Sequence, residues 1–328
     1  MERIGHYLGI DVGSVSTNLV VIDEKDDIVE KLYIRTEGQP INALRNGMKT
    51  LARELGDKVF IKGVGTTGSG RQLASVIVGA DIVKNEITSH AIAAQKLVPG
   101  VKTIIEIGGQ DSKIIILRNG IVYDFAMNTV CAAGTGSFLD RQASRLNIPI
   151  EEFGGYALRS QAPVRIAGRC AVFAESDMIH KQQTGHSVED IIGGLCEALV
   201  RNYLNNLAKG KTIEEPIVFQ GGVAANIGIV NAFEKALGKR IIIPEYYDVM
   251  GAYGAAMLAK EKVQSTGQKT AFYGFNAAKN EYRAKSIECG DCSNMCEVIE
   301  ISSNGRIIAR WGDRCGKWAN QLTLNTGT

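Results

Sequence analysis

Two stretches of this chain repeat one another at an offset of 95 residues: Asp11-Val-Gly-Ser-Val-Ser-Thr17 falls on Glu106-Ile-Gly-Gly-Gln-Asp-Ser112. Apolar runs with strand character surround both stretches, at 7–10, 19–23 and 28–34 in the first copy and at 103–107, 113–117 and 121–125 in the second. A helical pattern over 40–55 and a strand at 59–64 continue the first copy, and a glycine-containing helix from about Ala132 continues the second. An internal duplication of a β-β-β-α-β-α opening is the simplest account. Each copy ends a strand on an acidic residue and follows it with glycines, so two such hairpins would confront each other across a cleft. Two unrelated hairpins with glycine turns would read the same way.

A chain of 328 residues exceeds what one hydrophobic core organises. We therefore expect a first lobe over 1–100, a second over 101–263, a linker at 264–269 and an extension over 270–328 that holds four of the seven cysteines. Lys and Arg number 37 against 35 Asp and Glu, which gives no electrostatic reason to expect nucleic acid or an anionic membrane as partner. No run of 18 uncharged apolar residues occurs, so the expected location is the cytoplasm. Cysteines kept reduced there serve as metal ligands, catalysts or core residues rather than as disulfides.

Phosphates need backbone N–H donors that can approach closely, with a carboxylate nearby to hold Mg²⁺ through water. Asp11, Gly13, Ser14, Val15, Ser16 and Thr17 offer that chemistry in the first copy. Gly108, Gly109, Gln110 and Asp111 offer it in the second, where Gln110 or Asp111 would orient an attacking water. Gly221 and Gly222, at the end of an apolar strand, would let backbone lie flat against a nucleoside. Small residues in Val249-Met-Gly-Ala-Tyr-Gly-Ala-Ala-Met257 suit a closely packed hinge helix. In the order of these four elements the chain resembles the actin, sugar-kinase and Hsp70 superfamily. That resemblance implies an α/β fold of two RNase H-like lobes with ATP and Mg²⁺ between them. No GxxxxGK[ST] motif is present.

Cys131 and Cys170 each stand where a turn of small residues leads into a helical pattern, a setting that suits a thiolate ligand. They lie 39 positions apart and cannot complete a four-thiolate cluster in one chain, but a two-fold axis between them would supply four from two subunits. Two buried cysteines acting as small hydrophobes are the alternative. Cys131-Ala-Ala-Gly-Thr-Gly136 and Cys170-Ala-Val-Phe-Ala-Glu-Ser176, with the nucleotide motifs, closely resemble the ATP-dependent activators of 2-hydroxyacyl-CoA dehydratases and the ATPase subunits of benzoyl-CoA reductase, over about residues 5–262. The resemblance implies a homodimer bridging one [4Fe–4S] cluster through Cys131 and Cys170. Fed by a ferredoxin- or flavodoxin-type donor, it would pass low-potential electrons to an iron–sulfur partner as ATP is hydrolysed to ADP. That partner is dehydratase-like, benzoyl-CoA-reductase-like or a double-cubane-cluster protein.

Cys289-x2-Cys292-x3-Cys296, with Cys315 after 18 further residues, has ligand-like spacing that suits a second [4Fe–4S] cluster or zinc, the cluster being slightly favoured. Trp311 and Trp318 would shield that site, Cys196 is expected in the core, and His180 and His186 in a surface loop. Two other functions remain open to the sequence. A small-molecule kinase would have no use for Cys131 and Cys170, and a nucleotide-sensing regulator would use its cysteines for structural zinc.

Overall fold

The computed structural model describes residues 5–56, 59–128, 132–168 and 170–319. The chain divides into two compact units, Met1–Gly13, Thr17–Lys84 and Ala255–Thr328 forming the first, and Ser14–Ser16 with Asn85–Gly254 the second.

Unit 1 holds β1 (Gly5–Val12), β2 (Ser16–Ile22), β3 (Ile28–Arg35), α1 (Pro40–Leu55), β4 (Phe60–Thr67), α2 (Arg71–Val78) and β5 (Ile82–Val83). Its sheet runs in the order β3-β2-β1-β4-β5, antiparallel on the β2 side and parallel from β1 to β5. Pro40 starts α1 where a missing N–H costs nothing, and Leu44, Met48, Leu51 and Leu55 recur at helical spacing to bury one face. Leu8, Ile10, Leu19 and Val21 meet that face from the sheet, and each fully buried aliphatic contributes about 1.5–3 kcal/mol.

Unit 2 holds α3 (Glu86–Leu97), β6 (Thr103–Ile107), β7 (Ser112–Arg118), β8 (Ile121–Asn128), α4 (Gly136–Leu146), α5 (Ile150–Arg159), α6 (Ala171–Gln183), α7 (Val188–Leu207), β9 (Ile217–Gln220), α8 (Ile227–Leu237) and β10 (Ile241–Ile242). Read from the other edge, its sheet order β8-β7-β6-β9-β10 reproduces that of unit 1 strand for strand. The register repeats as well: Asp11 pairs with Asn18 and Glu106 with Lys113, each the offset of 95 apart. α7 runs through the core, its Tyr203 meeting Phe233 edge-on at 5.3 Å.

Several local expectations shift. α3, assigned by sequence to the first lobe, lies in unit 2, where Glu86 pairs with Lys113 of β7. Ala132–Gly134 is one 3₁₀ turn, and α4 begins only at Gly136. The last helix, α9 (Met250–Thr266), takes in the first half of the supposed linker and stops at Gly267, whose φ of +63° ends it. His180 stands on α6 rather than in a loop.

Beyond α9, β11 (Tyr282–Glu288), β12 (Glu297–Ser303) and β13 (Arg306–Trp311) form an antiparallel sheet belonging to unit 1. Tyr282, Ala278 and Ile301 are buried in the same cluster as α1 and α2, and Trp311 packs against that cluster. Asp81 fastens the approach to this sheet, accepting from Ala271 N and from Thr270 Oγ1, both at 2.7 Å. Among the described residues no helix is long and apolar enough to cross a membrane.

Candidate functional site

In each unit the parallel strands run out into polar residues, and the glycine turns begin there. Asp11 closes β1, level with Asn18 on β2 and Thr67 on β4. The hydroxyls of Thr66 and Thr67 are buried and have no hydrogen-bond partner among the described residues. Gly68, at φ +89°, follows them so closely that a Cβ there would lie 2.4 Å from Asp11 Oδ1. Thr36 donates to Gly13 O at 3.0 Å, so the 3.0 Å contact between the two threonines is a bond from Thr17 to Thr36 Oγ1. Thr17 is fully buried and braces the turn from within, which leaves Ser14, exposed, and half-buried Gly13, Val15 and Ser16 at its surface.

Glu106 closes β6, level with Lys113 on β7 and Gln220 on β9. Lys113 is buried, and its Nζ lies 2.9 Å from Glu106, 2.9 Å from Glu86 and 2.8 Å from Asp111. Burial opposes its charge, but the three carboxylates outweigh that and hold its pKa well above that of an ordinary lysine. Burial pushes the Glu106 carboxyl up to about 8 against the pull of Lys113. The same burial, with Lys113 second, takes His90 down to about 3, and Gln220 Nε2 donates to its Nδ1 at 2.7 Å. Gln220 Oε1 and Ser112 Oγ are buried without a partner among the described residues.

The turn after β6 is seated on the start of α4, since Gly136 N donates to Gly108 O at 2.8 Å and Ser137 N to Gly109 O at 2.9 Å. Asp111 O accepts from Gly108 N at 3.0 Å, closing the turn and leaving Gln110 exposed on it. Val15 lies against Gly109, where a Cβ would be 2.5 Å from Val15 Cγ2. Gly221, at φ +87°, comes beside the end of β6, its would-be Cβ 2.4 Å from Ile107 O, and Gly222 follows it, exposed. The structure thus brings Gly108, Gly109, Gly221 and Gly222 around Glu106. Bare backbone at the carboxyl ends of parallel strands, orphaned buried hydroxyls and flanking carboxylates are a donor set that fits phosphate and hydrated Mg²⁺.

The sequence reading marked Glu106 as the acidic residue at a strand end but passed over Glu86, His90, Lys113 and Gln220, which surround it. A signal existed for Lys113: the unbroken run Ile114-Ile-Ile-Leu117 behind it marks a strand covered on both faces.

Cys131 lies outside the described residues. Cys170 is the N-cap residue of α6, half-buried, and Val172 and Phe173 beside it are exposed. Cys196 sits in the core, its thiol pushed up to about 12 by burial. Of the tail thiols, Cys289 is buried, Cys296 half-buried, and Cys292 and Cys315 exposed. Among the described residues no three His, Cys, Asp or Glu side chains are gathered as metal ligands.

The model of the BadF/BadG/BcrA/BcrD ATPase family matches residues 8–259. The chain belongs to that family. It is 36% identical over 268 residues to a 2-hydroxyisocaproyl-CoA dehydratase activator of Clostridioides difficile, covering 80% of this chain and 97% of that one. The solved structure of such an activator with bound ADPNP matches with a TM-score of 0.71 at 36% identity, over 80% of this chain and 97% of the other. Component A of the (R)-2-hydroxyglutaryl-CoA dehydratase of Acidaminococcus fermentans matches with a TM-score of 0.72 at 32% identity, over 79% and 99%. A ROK family glucokinase from Streptomyces griseus, 14% identical with a TM-score of 0.51 over 78% of this chain and all of its own, shares the fold alone. This member of the BadF/BadG/BcrA/BcrD ATPase family therefore has the actin-like fold expected of the duplicated β-β-β-α-β-α pattern. The family match stops at residue 259, before β11, β12 and β13.

Proposed function

We propose that this protein is an ATP-driven electron donor: it binds MgATP through the turns after β1, β6 and β9, hydrolyses it, and reduces an iron–sulfur partner enzyme of the 2-hydroxyacyl-CoA dehydratase or benzoyl-CoA reductase type. The observation that carries the reading is the identity of 36% over nearly the whole of a dehydratase activator, joined to a cysteine at the cap of α6. Cys131 and Cys170 from each of two copies would hold a [4Fe–4S] cluster, which supplies the one-electron chemistry when bound.

The chain's own residues have separable tasks. Backbone N–H groups at Gly13–Val15 and at Gly109 receive phosphate oxygens, Gly108 N being spent on Asp111 O within the turn, and Asp11 would hold the hydrated Mg²⁺. Water attacks the γ-phosphorus, the bond to the bridging β,γ oxygen breaks, and ADP and phosphate leave with the water's proton passing to phosphate or solvent. Gln110, exposed on its turn, is the residue we assign to orient that water. Asp111, held by Lys113, fixes the turn under it. α9 spans the division between the units at Gly254 and Ala255, and we assign it the hinge.

The deciding experiment is purification without oxygen, assay of iron and acid-labile sulfide, and electron paramagnetic resonance of the reduced protein with and without ATP. About four iron atoms per dimer beyond any held by the tail, lost in Cys170→Ser, and a spectrum that responds to nucleotide are expected. Zinc without iron would sink the proposal.

A further inference from the structure

The extension that follows α9 places its four cysteines on two turns that are fastened to each other. Glu288 pairs with Glu297 at the last rung of the β11–β12 ladder, and Cys289 N donates to Cys296 O at 2.8 Å one step beyond it. Cys289 and Cys296 are therefore cross-strand neighbours at the mouth of the hairpin, where side chains directly opposite share a face with Cβ atoms about 5 Å apart. Two sulfurs bound to one tetrahedral ion at about 2.3 Å stand roughly 3.8 Å apart, within reach of such a pair. The loop between them folds back at once, Met295 N donating to Cys292 O at 3.1 Å.

The second turn is brought to the first by three contacts and closed by a fourth. Gly312, at φ +108°, lies so near Glu297 that a Cβ would be 2.3 Å from its carbonyl oxygen. Arg314 Nη1 donates to Asn294 Oδ1 at 3.3 Å, and Lys317 Nζ is ion-paired with Asp291. Trp318 N donates to Asp313 Oδ2 at 2.9 Å and closes the turn around Cys315. Cys315 thus stands between two side chains, Arg314 and Lys317, that both reach the loop carrying Cys292. None of the four thiols is in a disulfide, and Cys292 and Cys315 are exposed while Cys289 is buried and Cys296 half-buried.

We propose that Cys289, Cys292, Cys296 and Cys315 form a four-thiolate centre for a thiophilic metal, zinc or an iron–sulfur cluster. It acts as a clasp joining the β11–β12 hairpin to the end of β13. Binding draws Cys292 and Cys315 inward by loop movement alone, because the ladder already sets the other two. The centre uses neither Cys131 nor Cys170 and rests on no property of the nucleotide site.

The test uses the full chain, purified without oxygen as wild type, Cys292→Ser, Cys315→Ser and Cys170→Ser, with zinc, iron and acid-labile sulfide measured per chain. About one zinc, or a cluster's iron and sulfide, should be lost in both tail variants and kept in Cys170→Ser. Limited proteolysis within 290–296 should quicken at least tenfold when either exposed cysteine is replaced or the metal is removed by a chelator. Metal content unchanged between wild type and both tail variants would overturn the proposal, as would equal cleavage rates. ADPNP binding, followed in parallel on the wild type, judges the ATPase reading separately.

Discussion

Lys113 sets the charge balance of unit 2, one ammonium against the carboxylates of Glu86, Glu106 and Asp111. Replacing it with methionine strands three acids around a buried site, and the expected cost is about 3–5 kcal/mol, read as a fall in denaturation midpoint. Adding Glu106→Gln should recover part of that loss. His90 makes a second prediction. Its folded pKa of about 3 lies below the ordinary 6.5, so the unfolded chain binds the proton first and stability falls as pH drops from 6.5 toward 3. His90→Asn should flatten the stability profile in that window, and an unchanged acid limb in urea titrations would refute it. Glu106 works in the opposite direction: raised to about 8 from 4.5, it lowers stability as pH rises between those values, and Glu106→Gln should remove that slope. The turns that carry the glycines, Gln110 and Asp111 were legible from sequence, because turns have few residue choices. The buried charges were harder to read: the apolar run after Lys113 marks a covered strand, but a lysine in a strand is ordinarily placed at the surface, and its carboxylate partner Glu86 comes from α3, distant in sequence.

At the level of elements, the carboxyl ends of β6 and β9 are joined through Gly221, which has the left-handed backbone and no room for a Cβ. Gly221→Ala should cost about 1–3 kcal/mol and weaken ADPNP binding together, since strain and a displaced turn arise from the same atom. α9 depends on another bare residue: a Cβ on Gly254 would lie 1.9 Å from Ser89 O on α3. Gly254→Ala should push the two helices apart, and a change in KM and kcat together, with nucleotide affinity kept, is the result expected of a hinge. The strands and their register were readable because apolar alternation and a repeated motif both specify them. The end of α9 was not, since Gln264-Ser-Thr266 has the composition of a linker while helix propagation from the packed Met250–Leu258 segment carries through it.

For the whole molecule, the duplication at 95 residues carried most of the fold, and the two sheets obey it down to paired residues. It could not foretell the third sheet, which has no counterpart in either copy and lies beyond the family match. That sheet shares unit 1's interior: Tyr282 is buried against α1 and α2 and donates to Ala277 O at 3.2 Å. Tyr282→Ala should lower the stability of unit 1 by about 3–5 kcal/mol, seen in urea melts. Shortening the chain to the span it shares with its relatives would also strip Ala278, Tyr282 and Ile301 from that interior and wet the flank of α1 and α2 they cover. Such a deletion would report on solubility before it reported on any activity. The segment that the family match leaves out is, in the folded protein, part of the interior of unit 1, and any trimmed version must be given a substitute for it.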